Sequence, residues 1–196
     1  MVYVASYALG IPINQRSRFR TFKGYLHAKY ERFLLCNESL SQRFATEILR
    51  LIIDQYFISV RKPGQKLLIL CQTKNFVLHL VQLLGEVYPS LKPVAYFSGN
   101  STYGKARRLE QPVIVSTIKS CSTGIDIKGL KTCINTVSFA SEPQAIQCFG
   151  RLRQIPGEDT LYIDLYNREI SSHCSHVGNR ITVYTDRARS VNEIRL

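Results

Sequence analysis

The stretch Lys66-Leu-Leu-Ile-Leu-Cys-Gln-Thr-Lys-Asn-Phe-Val-Leu-His-Leu-Val-Gln-Leu-Leu-Gly85 carries two hydrophobic periods back to back. Lys66 to Cys71 is apolar after its first residue, as a strand buried on both faces must be. Beyond it the period changes. Phe76, Val77, Leu80, Leu83 and Leu84 recur at three- and four-residue spacing, the stripe of a helix laid on a sheet. Thr73 is placed to cap that helix and Gly85 to end the pattern. A continuous apolar strand followed at once by an amphipathic helix is the unit of a parallel α/β sheet.

The same alternation continues along the chain. Strands are predicted at Pro93–Phe97, Pro112–Ser116, Thr132–Phe139 and Thr160–Tyr166, with helices over Glu142–Leu152 and from about Arg168 toward Arg189. The fold class this defines is α/β, an open and mainly parallel sheet flanked by helices. The first sixty residues differ. Val2–Leu9 reads as a strand, Ile13–Lys29 is dense in Arg and Lys with aromatic residues interleaved, and Ala28–Leu35 and Gln42–Phe57 read as helices. The second of these carries Phe44, Ile48, Leu51 and Ile52 in a broad apolar stripe. Pro63 and Gly64 punctuate the join, so the expected organisation is residues 1–60 leading into a lobe formed by residues 61–196.

The chain has 196 residues, 45% of them hydrophobic, enough for one sizeable core. Its longest apolar runs, Leu67–Cys71 and Ile48–Ile53, are too short to cross a bilayer, and no basic-then-apolar leader follows Met1. Neither export nor membrane anchoring is expected. The six cysteines, at positions 36, 71, 121, 133, 148 and 174, form no Cys-x-x-Cys pair and suit a reducing cytoplasm. Twenty-six Lys and Arg against 14 acids give a net charge of +12, a balance that favours a polyanionic partner and equally serves solubility. Arg16-Ser-Arg-Phe-Arg-Thr-Phe-Lys-Gly-Tyr25 fits nucleic acid bound by charge and stacking. It fits equally a loop that packs its aromatics and exposes its arginines.

Two segments carry the chemistry. Val113-Ile-Val-Ser-Thr-Ile-Lys-Ser-Cys-Ser-Thr-Gly-Ile-Asp-Ile127 is a buried strand ending in a hydroxyl-rich loop, and ligands of open α/β sheets sit beyond the carboxyl ends of strands. Gln144-Ala-Ile-Gln-Cys-Phe-Gly-Arg-Leu-Arg153 reads as a helix presenting Gln147, Gly150, Arg151 and Arg153 near its end, where guanidinium groups match phosphate by forked hydrogen bonds. Each has a plainer reading. Arginines are welcome at any helix C-terminus, and Gly124 and Asp126 are ordinary turn residues. Likewise Thr73 serves as an N-cap and Lys74 as a solvated helix residue whatever else they do. His173-Cys-Ser-His176 lacks the second ligand pair of a structural zinc site, so no metal is expected there.

Ser116-Thr117 with Thr123-Gly-Ile-Asp126 resembles motif V of superfamily 2 helicases, and Gln147-Cys-Phe-Gly-Arg151 resembles motif VI. Leu67–Cys71 with Gln72, Thr73 and Lys74 resembles motif IV, and Tyr96-Phe-Ser-Gly99 the short motif after it. Gly24-Tyr-Leu-His-Ala-Lys-Tyr-Glu-Arg-Phe-Leu35 is similar to the region leading into the second lobe of phage branch-migration helicases and their viral relatives. The resemblance implies a RecA-like second lobe and a DNA-directed ATP hydrolase made of two lobes. It implies that Arg151 and Arg153 act on ATP phosphates, with Gly124, Asp126, Gln147 and Gly150 lining the nucleotide side. Thr73, Lys74, Ser98, Gly99, Ser116 and Thr117 would face nucleic acid. The family pattern sets its last arginine seven residues after the glutamine; here that position is Gln154, and Arg153 stands one residue earlier.

No Gly-x-x-x-x-Gly-Lys-Ser/Thr loop occurs, and Gly104-Lys105 lacks both the upstream glycine and the hydroxyl residue. ATP and magnesium are therefore expected to be held mainly by an upstream RecA-like lobe, and this chain alone is expected to be inactive. Two other functions fit the same residues: a non-enzymatic nucleic-acid-binding adaptor, and the motor lobe of a restriction- or chromatin-type translocase.

Overall fold

The computed structural model describes residues 1–97, 102–121, 126–152 and 158–196. Chain order runs from β1 (Val2–Tyr7) through a small hairpin, β2 (Arg20–Thr21) and β3 (Gly24–Tyr25), to α1 (His27–Leu35), α2 (Glu38–Arg43) and α3 (Arg50–Ile53). β4 (Lys66–Cys71), α4 (Lys74–Val87), β5 (Val94–Tyr96), α5 (Thr102–Leu109), β6 (Val113–Thr117) and α6 (Ile118–Cys121) come next. The chain closes with β7 (Leu130–Asn135), α7 (Glu142–Phe149), β8 (Leu161–Asn167), α8 (Ser171–Arg187) and β9 (Val191–Arg195).

Among the described residues the main sheet has seven strands in the order β5-β6-β4-β7-β8-β1-β9, and every pairing in it is parallel. Alternation along each strand sends side chains to two cores. Leu67, Ile69 and Cys71 of β4 join Val113 and Val115 of β6 on the face covered by α1 and α4. Leu68 and Leu70 join Ile114 and Tyr162 on the face covered by α7 and α8. Burying both faces is what makes β4 read as an unbroken apolar run.

The N-terminal segment belongs to this sheet. β1 lies between β8 and β9, paired with each over five residues or more, so residues 1–60 and 61–196 share one sheet and one pair of cores. The helix expected over Gln42–Phe57 starts earlier, at Glu38, and reaches Ile58 with two π-helical stretches, Phe44–Leu49 and Asp54–Ile58. No Gly or Pro interrupts it. Phe44, Ile48 and Ile52 are buried as expected, but Leu51 is 47% exposed because the wider π turns rotate it off the packed face. Gly129 joins the sheet at its amino end in the left-handed region, φ +78, where a Cβ would collide with the carbonyl oxygen of Gly64. No helix among the described residues is long and apolar enough to cross a membrane.

Candidate nucleotide and nucleic-acid cleft

Because all strands run the same way, the carboxyl ends of β4, β6, β7 and β8 share one edge, and the segments singled out in the sequence emerge there. β4 ends at Cys71, and Glu31 of α1 fixes the next two residues: its carboxylate accepts the N–H of Gln72 at 2.6 Å and of Thr73 at 2.7 Å. Thr73 then caps α4, its Oγ1 accepting the N–H of Phe76 at 3.3 Å. Glu31 is fully buried, and that burial pushes its carboxyl up to about 7 against the pull of the two N–H donors. His27 Nε2 lies 3.8 Å from it. The ring is neutral, held down to about 3 by burial and by the nearby charge of Arg180, so the contact is dipolar and not an ion pair. Its Nδ1 accepts from Ser138 N–H at 3.2 Å and Tyr25 O–H at 2.9 Å, which leaves the proton on Nε2.

At the end of β6, Ser116 and Thr117 are buried. Ser116 Oγ donates to the carbonyl of Thr117 at 3.3 Å, and Thr117 Oγ1 accepts the Ser120 N–H at 3.2 Å and bonds Ser120 Oγ at 2.8 Å. These hydroxyls shape the turn into α6. Both side chains are buried at this strand end.

α7 is set by a buried network. Asp164, in the middle of β8, takes a bidentate contact from Arg180 of α8 at 2.7 and 3.0 Å, and further bonds from Asn135 at 2.8 Å and Tyr184 at 3.0 Å. Arg180 also donates to the carbonyl of Phe139 and stacks over its ring at 4.8 Å, fixing the segment that leads into the α7 N-cap, Ser141. From that base α7 presents Gln147 to solvent and Arg151, one turn on and half-buried, beside Cys121 of α6. Gly150 closes the helix with φ −65; a Cβ there would sit 3.0 Å from the carbonyl oxygen of Ile146. Its smallness is thus already explained by the tight helix end.

Between these pieces lies a cleft of about 320 Å³ lined by Gln72, Lys119, Ser141, Gln144 and Gln147, with Ile118 and Pro143 as apolar walls. Ile118 and Gln147 also border a small void with Arg151 and Cys121 beneath it. The three sequence segments therefore meet at one opening. Lys74 stands at the start of α4 with its ammonium 5.4 Å from the Phe97 ring, and Asp126 is exposed. Ser98, Gly99, Gly124 and Arg153 lie outside the described residues. Gln72 and Lys119 were not legible as ligand-facing residues, although each stands within two residues of a strand end; Ser141 is the N-cap of α7. Among the described residues the cleft lining holds amide, hydroxyl and ammonium groups and no carboxylate, a set suited to phosphate oxygens.

No family model and no curated protein sequence matches the chain. Solved structures do. T4 UvsW superposes with a TM-score of 0.66 at 15% identity, covering 99% of this chain and 42% of that one. The C-terminal domain of the DEAD-box protein Dbp5 gives 0.59 at 13% identity over 78% of this chain and 83% of that domain. S. cerevisiae Dbp5 bound to RNA and ADP BeF3 gives 0.57 at 12% identity, covering all of this chain and 41% of that protein. The chain thus spans less than half the length of UvsW and of that Dbp5 chain. Its fold is RecA-like, the fold shared with the C-terminal domain of Dbp5 and with UvsW.

Proposed function

We propose that the chain is the C-terminal motor lobe of an ATP-dependent superfamily 2 DNA helicase or translocase, working in the cytoplasm on branched or stranded DNA. The observation that carries this reading is the convergence of Gln72, Lys119 and Gln147 on one opening at the carboxyl edge of a parallel sheet, with Arg151 on the small void that adjoins it at Gln147. Dbp5, with the same fold, is solved with RNA and ADP BeF3, a polymer and a nucleotide on one protein. The choice of DNA rests on the similarity of residues 24–35 to phage branch-migration enzymes.

In this reading Arg151 and Gln147 meet ATP phosphates across an interface with a lobe that bears the P-loop, and that lobe holds the magnesium. Bound there, ATP supplies the hydrolysis that drives closure and reopening of the two lobes. A guanidinium placed against the transferred phosphoryl group stabilises its transition-state charge. Lys74, exposed at the start of α4, offers its ammonium to the sugar-phosphate backbone, a contact that sets position without reading sequence.

The test is nucleotide hydrolysis by the chain alone and by the chain joined to a P-loop-bearing lobe, each with and without DNA. Hydrolysis in the joined form alone, raised by DNA, supports the motor. DNA binding with no hydrolysis in either form favours the non-enzymatic adaptor. Strand displacement by the joined form separates a helicase from a translocase of the restriction or chromatin type.

A further inference from the structure

The basic stretch near the N-terminus has no part in the cleft, yet the structure gives it a definite shape. Residues 10–30 contain five basic side chains and no acid. Within them β2 and β3 pair antiparallel around a two-residue tip, Phe22-Lys23. The tip is braced: Thr21 Oγ1 donates to the carbonyl of Gly24 at 3.1 Å and accepts the Lys23 N–H at 3.2 Å, and Gly24 turns the chain with φ +106.

The hairpin base is tied into the core. Phe19 is buried edge-on against Tyr30 and Phe33, and Tyr25 bonds to both His27 and His173. Two aromatics of the stretch therefore pack inward, while a third does not. Phe22 is 94% exposed, with Lys23 Nζ 5.4 Å from its ring centroid. Arg18, Arg20, Lys23 and Lys29 are exposed around it. Burial does not account for a phenyl ring held out on a braced two-residue tip. An exposed aromatic ring on a hairpin that also carries exposed Arg18, Arg20 and Lys23 combines a stacking face for an unpaired base with cations for its phosphates. The hairpin also stands on the same sheet edge as the cleft, since His27 bonds Tyr25 on one side and Ser138, three residues before cleft-lining Ser141, on the other.

We propose that the β2–β3 hairpin is a single-strand contact, with Phe22 stacking on an unpaired base and Arg18, Arg20 and Lys23 meeting the flanking phosphates. This rests on the reading that the polymer is nucleic acid, but not on ATP hydrolysis. The chain contains no tryptophan, so Phe22→Trp creates a single fluorescent reporter at the tip. Titrating the 196-residue chain without nucleotide against oligothymidylate of about 20 nucleotides, a length that exceeds one binding site, should quench that tryptophan while affinity is kept. Phe22→Ala should weaken binding by roughly fivefold or more, with an unchanged melting temperature. Replacing Arg18, Arg20 and Lys23 together by Ala should lower the slope of log affinity against log salt by about 2. Absence of binding, binding without quenching, or Phe22→Ala at unchanged affinity would overturn the proposal. Loss confined to the basic triple variant would also overturn it, since it reduces the hairpin to a charge contact. None of these readouts involves hydrolysis, so failure here is distinct from failure of the motor reading.

Discussion

Arg180 and Asp164 form a bidentate ion pair, at 2.7 and 3.0 Å, with neither side chain exposed to solvent. The pair links β8 to α8, and through the Phe139 carbonyl it holds the segment that delivers α7 to the cleft. Removing one member leaves a buried charge without its partner, which costs far more than the pair is worth against an apolar substitute. Arg180→Leu is expected to destabilise the chain by about 3–5 kcal/mol in urea denaturation, and Arg180→Leu with Asp164→Leu by less. A single variant within about 1 kcal/mol of wild type would show that the network does not anchor the cleft.

His27 and Glu31, one turn apart on α1, titrate in opposite senses, and His173 of α8 behaves as His27 does. His27 and His173 are held neutral well below their ordinary range by burial and, for both, by the charge of Arg180. Their contribution is present above the unfolded histidine pKa and is lost as pH falls below it. Glu31 is raised to about 7, so its contribution is present below the unfolded carboxyl pKa and is lost as pH rises through about 7. Between those windows the unfolded chain takes up the histidine protons while the native chain keeps the Glu31 proton, and the two partly cancel. Glu31→Gln removes the cancelling proton. From pH 5 to 6.5 its stability should climb with pH more steeply than wild type by about 1.4 kcal/mol per unit. Parallel curves would mean that Glu31 is ionised in the native protein.

Thr73 has two readings, cap and phosphate contact, and the cap is the one seen in the hydrogen bonding. Thr73→Ala should cost roughly 0.5–2 kcal/mol in denaturation, and Thr73→Ser should restore most of it. Affinity of the chain for DNA should track the fold and not the hydroxyl, because the hydroxyl is engaged in capping Phe76 N–H. A drop in affinity for Thr73→Ala at unchanged stability would restore the direct contact.

The parts of the fold legible in the sequence are those where burial writes a period. β4, β6 and β8 are apolar because both faces are covered, and α4 shows its stripe because one face is. β9 escaped notice because Val191-Asn-Glu-Ile-Arg195 is an edge strand, half in water, with no apolar run. The place of β1 between β8 and β9 depends on pairing between segments about 160 and 190 residues apart, which no local pattern encodes. Helix spacing placed Gln147 and Arg151 one turn apart near the end of α7, which is where they stand. Glu31 and Arg180 were not legible, since a charged residue on a helix is ordinarily solvated. A clue existed in Asp164, a lone carboxylate between Ile163 and Leu165 in a buried strand, which requires a cation nearby.

In the proposed two-lobe motor Arg151 reaches the ATP. DNA-stimulated hydrolysis by the joined protein, compared for wild type and Arg151→Ala at matched folding stability, decides this. Turnover should fall roughly 10³-fold or more, the scale of an arginine acting on a transferred phosphoryl group. Hydrolysis by Arg151→Ala within a few-fold of wild type would remove Arg151 from the nucleotide site.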